Sequence, residues 1–377
     1  MRVVFDARHL QTVSRTRGIG RYSRNLLAAF ARRAPEDVAW TLLTLRNFAP
    51  ADPSPLPPHR TRATLRLRRP ELTMLALDPL LLPLELPGQG DLYHSVQLGL
   101  PAIRRVPVVL TIHDLAPLRW PSQYLRLPYA RVGHAWQYAL AKRADAIIAV
   151  SEATKTDVVA RLGIPAERIR VIPEAVDASF HPPSHDAGAA IAHDRFGIPG
   201  RYVLYVGQFD PRKNMEGLFA AFARAAERDP NLRLVIAGTL GRLAASMRDA
   251  LSRSRLDPVQ VVIAGGVDDP TLGALYAGAE CLLHAAWLEG FGLTALEALA
   301  AGTPVVGYRA GAVAEVVGDA GLLVDERDPD ALGEALVTLL GDESMRSDLR
   351  ARAKPRAARF SWDRAADDTL AIYRTLT

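Results

Sequence analysis

The chain has 377 residues, more than one typical domain and suited to two, and 49% hydrophobic with 23% charged residues lets both bury a core. The lone Cys281 excludes an internal disulfide, and no stretch approaches the roughly 18 uncharged apolar residues of a membrane span. Residues 1–20 carry four arginines and no apolar core, so they do not read as a signal peptide, and a reducing cytoplasm is the expected setting. Residues 1–180 hold 25 Lys/Arg against 15 Asp/Glu, a net of +10, and the remainder holds 21 against 26, a net of −5. Such a basic half suggests an anionic partner: a membrane surface, a lipid phosphate or, weakest because no binding motif is present, nucleic acid.

In chain order, Val3-Val4-Phe5 reads as a buried strand ended by Asp6-Ala7-Arg8. A polar loop over 11–20 leads to a helix over 22–34 with Leu26, Leu27 and Phe30 on one face. Gly18 and Gly20, just before that helix, form a candidate anion site or a plain flexible turn. They are no dinucleotide fingerprint, because the loop is long and Ser23 stands at the third glycine position. A strand over 39–45 and a proline-rich loop over 49–58 follow. Residues 59–69, HRTRATLRLRR, carry five arginines and no acid, and 72–87 are largely Leu and Pro. Two readings stand here: a membrane-facing patch, or a strand followed by a packed helix or loop.

Strands over 91–95, 107–111, 146–150 and 169–172, with helical segments between several of them, indicate a doubly wound parallel sheet. His113 directly follows one of these strands, at the carboxyl end where such sheets place ligands, and Ser151 is an N-cap. Residues 173–188 read as the domain linker. A second series of strands at 202–206, 232–237, 259–264, 281–284 and 305–307 makes a second half of the same class. After its first strand, Gln208 is followed by the adjacent cations Arg212 and Lys213, placed to neutralise a diphosphate or simply solvated.

Glu289 to Gly307, EGFGLTALEALAAGTPVVG, is the stretch with the most chemistry. Gly290, Phe291 and Gly292 turn into a helix that starts at Leu293, whose first N–H groups are free and attract phosphate. Glu289 precedes the helix and Glu297 lies inside it, and carboxylates there suit sugar hydroxyls better than phosphate. An ordinary helix start with a surface glutamate is the bland alternative.

These residues resemble the signature of retaining GT-B glycosyltransferases of family four, which move a sugar from a nucleotide-sugar donor to an acceptor. The resemblance implies two facing Rossmann-like domains, 1–180 and 186–359, with a last helix over 360–377 crossing back to the first. It implies that Glu297 holds the ribose, that Glu289 sits beside the donor sugar, and that Gly290, Phe291, Gly292 and Leu293 hold sugar and phosphate. Gly18 and Gly20 would face the donor phosphates and acceptor, and Arg212 and Lys213 the diphosphate. His113 would contact the transferred sugar or share the acceptor proton, unless it is a structural histidine capped by its own loop. Departures are Ala285-Ala286 where Pro-Ser is usual, Thr294 where Pro is common, and Gln208 where many members carry Arg.

The implied reaction is hexosyl transfer with retention, needing neither metal nor cofactor; Asp268-Asp269 reads as a helix cap. The loop TRGIGRY, 16–22, is similar to that of mannosyltransferases using GDP-mannose, which ranks above UDP-sugars. The implied acceptor is a glycan or lipid-linked sugar of cell-surface polysaccharide or lipopolysaccharide synthesis, met at the inner membrane face by a peripherally bound enzyme. A sugar-nucleotide epimerase or a non-catalytic sugar-nucleotide-binding protein stays open. A phosphorylase is disfavoured, because the chain has only Lys142, Lys155, Lys213 and Lys354 to hold pyridoxal phosphate.

Overall fold

The structure is a computed structural model that describes residues 1–46, 56–64, 70–177, 180–207, 210–238, 244–254, 256–325 and 328–377, without the side chains of 16, 70–73 and 244–246. Gln208, Arg66, Arg68, Arg69 and the side chain of Leu72 therefore lie outside the described residues. The chain forms two compact units, 1–174 with 361–377, and 175–360.

Unit 1 holds a parallel sheet of β1 (Arg2–Asp6), β2 (Ala39–Leu45), β3 (His59–Thr64), β4 (Leu92–Ser95), β5 (Val108–Ile112), β6 (Ala146–Ala149) and β7 (Ile169–Val171), in the order β3-β2-β1-β4-β5-β6-β7. Unit 2 holds β8 (Tyr202–Val206), β9 (Arg233–Ala237), β10 (Val261–Gly265), β11 (Cys281–His284), β12 (Val305–Tyr308) and β13 (Gly321–Val324), in the order β10-β9-β8-β11-β12-β13. Most inner strands are continuous apolar runs buried along their length, as parallel strands covered by helices on both faces must be. In each sheet the order reverses at the first strand, between β1 and β4 and between β8 and β11, which is where open α/β sheets bind ligands. The short strand β13, GLLV, has no counterpart in the sequence reading, because four apolar residues beside a glycine carry too little pattern.

The helices used below are α1 (Gly18–Arg33), α2 (Pro70–Glu85), α3 (Pro128–Ala141), α4 (Glu152–Leu162), α5 (His185–Phe196), α6 (Met215–Ala226), α7 (Asp269–Gly278), α8 (Leu293–Ala300) and α9 (Trp362–Leu376). Helix α1 starts four residues before Tyr22, so Gly18 and Gly20 lie inside its first turn and not ahead of it. Two short 3-10 turns, Arg8–Gln11 and Val13–Thr16, fold the polar loop back against that turn. A Cβ at Gly20 would lie 2.3 Å from the Ser14 carbonyl oxygen, so this glycine is required by backbone packing, whereas Gly18 faces open space. Likewise α5 begins inside the stretch read as linker, with Ser184 capping it.

The arginine-rich run opens as the edge strand β3, with Arg60 and Arg62 exposed, and α2 follows. The leucines of α2 and of the residue after it divide: Leu82 and Leu86 are core, while Leu80 and Leu84 are 58% and 76% exposed. The packed-helix reading thus holds for one face of the run and not for the other. Helix α9 lies on α1 within unit 1, with Tyr373 against Phe30 and Trp40 and Trp362 edge-on to Tyr22. Ion pairs Arg32–Asp363, Arg33–Asp367 and Arg374–Asp37 line its exposed margin. Exposed pairs contribute at most about 1 kcal/mol each, so the buried aromatic face holds the helix.

Candidate active site

In unit 2, β11 ends at His284 and the chain loops to Gly292, whose φ of 98° is left-handed and which caps α8 without a side chain. Glu289 hangs from this loop and is 6% exposed. Its Oε1 accepts from Lys213 Nζ and lies 3.2 Å from His284 Nε2, and Arg212 Nη1 reaches Oε2 at 3.4 Å. The loop is pinned from both sides: Trp287 N–H donates to the Arg212 carbonyl at 2.7 Å, and Ala312 N–H donates to the Glu289 carbonyl at 3.1 Å. Gly311, at φ 57°, is required there, since a Cβ would stand 2.2 Å from that carbonyl oxygen. Burial alone would raise the Glu289 carboxyl, but Lys213, the His284 bond and Arg212 outweigh it and hold the group well below the usual carboxylate range.

Arg212 and Lys213 sit in a 3-10 turn after β8, capped by Asp210, which accepts from the Arg212 N–H at 3.1 Å. Arg212 also lies 3.5 Å from the Asp210 carboxylate. The two cations are thus drawn onto Asp210 and Glu289, a local balance of two positive and two negative charges, where the sequence reading had them facing a diphosphate or simply solvated.

On α8, Glu297 is 1% exposed, and its Oε2 accepts from the Tyr276 hydroxyl of α7 at 2.9 Å. Phe291 is buried edge-on against Phe360, 5.6 Å away, so it anchors the turn by packing. Leu293 opens the helix, and Gly290 and Gly292 bracket Phe291 in the turn before it. Asp268 caps α7 through the Thr271 N–H, as its position before Pro270 implies. Among the described residues, no group of three or more His, Cys, Asp or Glu side chains is placed to hold a metal ion.

In unit 1, His113 follows β5. Its Nδ1 lies 3.1 Å from Glu174 Oε1 and its Nε2 lies 3.1 Å from the Val96 carbonyl. Both partners are acceptors, so the ring nitrogen that carries the proton donates to one of them. The Tyr22 ring stands edge-on at 4.7 Å, and Thr154 of α4 donates to the His113 carbonyl at 3.0 Å.

Next to it lies a buried polar network that sequence reading did not find. Arg8 is fully buried and forks between Asp6 and Asp78, with contacts of 2.7–2.9 Å to each carboxylate. His9 meets Ser23 at 2.6 Å, and His94 meets Tyr373 on one side and Thr111 at 2.8 Å on the other. Burial pushes His9 down to about 4 and His94 to about 3, so both are neutral imidazoles. The sequence did carry one signal: Asp78 is the acid in the middle of an apolar run.

Residues 16–180 match the family model Glycosyltransferase Family 4, and residues 193–356 match Glycosyl transferases group 1. The chain is 30% identical over 291 residues to an O-antigen chain mannosyltransferase B of Escherichia coli, covering 76% of this chain and 74% of that protein. It is 33% identical over 314 residues to a D-inositol 3-phosphate glycosyltransferase of Salinispora arenicola, covering 76% and 69%. Among solved structures, a sucrose-phosphate synthase of Thermosynechococcus elongatus superposes with TM-score 0.79 at 22% identity, over 100% of this chain and 99% of that one. WaaG, a glycosyltransferase involved in lipopolysaccharide biosynthesis, superposes at 0.73 with 18% identity, over 98% and 99%.

Proposed function

The chain belongs to the group 1 glycosyltransferases and has their GT-B fold, and from that premise we propose that it moves a hexose, mannose first, from a nucleotide sugar to a glycan or lipid-linked acceptor with retention. The observation that carries this reading is the buried pairing of Glu289 with Arg212 and Lys213 at the start of the helix that bears Glu297. Glu297 takes the ribose hydroxyls, and backbone N–H groups at the turn into α8, Gly290 to Leu293, take sugar and phosphate oxygens. Arg212 and Lys213 stabilise the charge that grows on the departing diphosphate, and Glu289 keeps both cations in place beside the transferred sugar. Glu289 is engaged by Lys213, His284 and Arg212, so it is a poor nucleophile for a double displacement. A same-face reaction, in which the diphosphate helps deprotonate the acceptor, fits better and needs no metal. Gly18 lines the open start of α1, while Gly20 is given to packing.

Mannose ranks first because the mannosyltransferase relative and the 16–22 loop point the same way. Thermal shifts with GDP, UDP and dTDP, followed by incubation with GDP-mannose in the presence of EDTA, test the reading. Stabilisation by GDP and slow release of GDP are the expected results. A shift with UDP alone overturns the choice of donor, and loss of turnover with EDTA overturns the metal-free reaction.

The acceptor is proposed to be presented at an anionic membrane. Helices α2 and α3 adjoin, Gly133 lying against Leu75, and the 102–103 loop is tied to α2 by the Ala102 N–H bond to Pro79. Leu80, Leu84, Ile103, Leu127 and Val132 on these segments are more than half exposed, and Arg104, Arg105, Arg126 and Arg131 are exposed beside them. Apolar groups with arginines alongside suit a lipid headgroup layer, each cation contributing about 1 kcal/mol before salt screening. Among the described residues no helix is long and apolar enough to cross a membrane, so the association would be peripheral. Anionic vesicles should sediment the protein better than neutral ones at low salt, and Leu80→Glu with Leu84→Glu should abolish the difference. Equal recovery on both vesicles makes a soluble acceptor the better reading.

A further inference from the structure

We propose that Tyr276 is a positioning residue for donor recognition: its phenol fixes the Glu297 carboxylate so that the ribose hydroxyls meet it in one orientation. This rests on the reading of Glu297 as the ribose acceptor. Tyr276 is fully buried on α7, 21 residues before Glu297, and donates to Glu297 Oε2 at 2.9 Å. The tyrosine is itself held. The Thr303 hydroxyl donates to its carbonyl at 2.6 Å, and the Phe180 ring stands edge-on at 6.1 Å. Helix α7 is further clamped by α5, where the backbones meet so closely that a Cβ at Gly188 would lie 2.6 Å from the Ala274 carbonyl oxygen.

The consequence follows from the chemistry of a carboxylate. A glutamate turning freely about its last bond must lose that freedom to accept two vicinal hydroxyls at once. A phenol on one oxygen sets the plane of the group before the ligand arrives, and preorganisation of this kind raises affinity by lowering the ordering cost. A hydrogen bond to a charged acceptor is also among the stronger ones. Tyr276 therefore acts on the hydroxyls alone, not on the base or the diphosphate.

Calorimetry of the whole chain with GDP and with 2′,3′-dideoxy-GDP reads this directly. The wild type is expected to prefer GDP by about tenfold or more, and Glu297→Gln to lose most of that preference. Tyr276→Phe is expected to reduce the preference by about three- to tenfold while leaving affinity for the dideoxy nucleotide unchanged. If the wild type does not discriminate, the ribose reading of Glu297 fails and this proposal falls with it. If Glu297→Gln behaves as expected but Tyr276→Phe keeps the wild-type ratio, only the positioning role is overturned. Equal weakening for both nucleotides overturns it too, since that marks a structural role. Should Tyr276→Phe not fold, 4-aminophenylalanine and 4-methylphenylalanine at position 276 compare a donor with a non-donor of the same length. The amino form should keep the preference and the methyl form lose it, and identical ratios overturn the proposal.

Discussion

Lys213 and Arg212, proposed to meet the departing diphosphate, also hold the buried Glu289. With Glu289 buried beside them, Lys213→Ala leaves its carboxylate only the longer contacts to Arg212 and His284 and is expected to cost unit 2 roughly 1–3 kcal/mol as well as turnover. A double-mutant cycle checks this: Lys213→Ala with Glu289→Gln should recover most of the stability and none of the activity, and strict additivity would show that the pair does not couple. A second prediction concerns pH. His9 and His94 have folded values of about 4 and about 3, below the roughly 6.5 of an unfolded histidine. The unfolded chain then binds protons the folded one refuses, so stability is full above about pH 6.5 and is lost as pH falls toward 4 and 3. At pH 5.5 the loss is about 1 kcal/mol for each, roughly 2–3 kcal/mol together. Glu289 is lowered instead, so its contribution is present above its ordinary value and is lost only below about pH 4.5, outside this window. Urea melts at pH 7.5 and 5.5 measure the difference, and His9→Gln with His94→Gln should flatten it. A wild-type curve unchanged between the two pH values would mean these imidazoles are not held neutral.

At the level of elements, α2 shows why some of the fold was legible and some was not. Most strands of both sheets, α8 and the Glu289–Glu297 spacing could be read because their pattern is local, an apolar run, a period of 3.6 or a glycine turn. Helix α2 carries Pro79 and Pro83 inside it, each removing a ladder hydrogen bond, so the same stretch read as helix or loop. What secures it is distant: Asp78 meets Arg8 across 70 residues of sequence, and Leu82 and Leu86 enter the core. Glu174 with His113, 61 residues apart, and Tyr276 with Glu297 were hidden for the same reason, since no periodicity marks a pair made by folding. The Arg8 site makes an ordered prediction. Arg8→Ala leaves two buried carboxylates facing each other and should cost about 3–5 kcal/mol, whereas Asp78→Asn leaves Arg8 paired with Asp6 and should cost less, about 1–3 kcal/mol. Chemical unfolding of both variants decides the order, and the reverse ranking would mean that Asp78 alone anchors α2.

For the whole molecule, the notable economy is that unit 1 is closed by the last stretch of the chain. Helix α9 returns after unit 2 and seals unit 1, covering Tyr22, Phe30 and Trp40 and giving His94 its Tyr373 partner. Trp362, Leu370 and Tyr373 are each at most 4% exposed, and removing a buried side chain of this size costs about 2–5 kcal/mol. Removing all three, and exposing what they cover, therefore approaches or exceeds the 5–15 kcal/mol that holds a typical domain. Unit 2 has its own core, built around Phe219, Phe222, Leu283 and Leu336, and none of it comes from α9. Deletion of 361–377 is thus expected to unfold unit 1 and spare unit 2. Trp287, stacked 5.6 Å from Tyr308, is a reporter for unit 2, and Trp40, Trp120 and Trp136 remain as reporters for unit 1. Thermal melts of variants keeping only Trp287 or only Trp40 read the two units separately. In the truncated chain the Trp287 transition should persist and the Trp40 transition should vanish or fall by well over 10 °C, given about 2–4 °C for each kcal/mol in a unit of this size. Loss of both transitions would show that the units fold as one cooperative body, and an unmoved Trp40 transition would show that α9 is an accessory to unit 1 and not its seal.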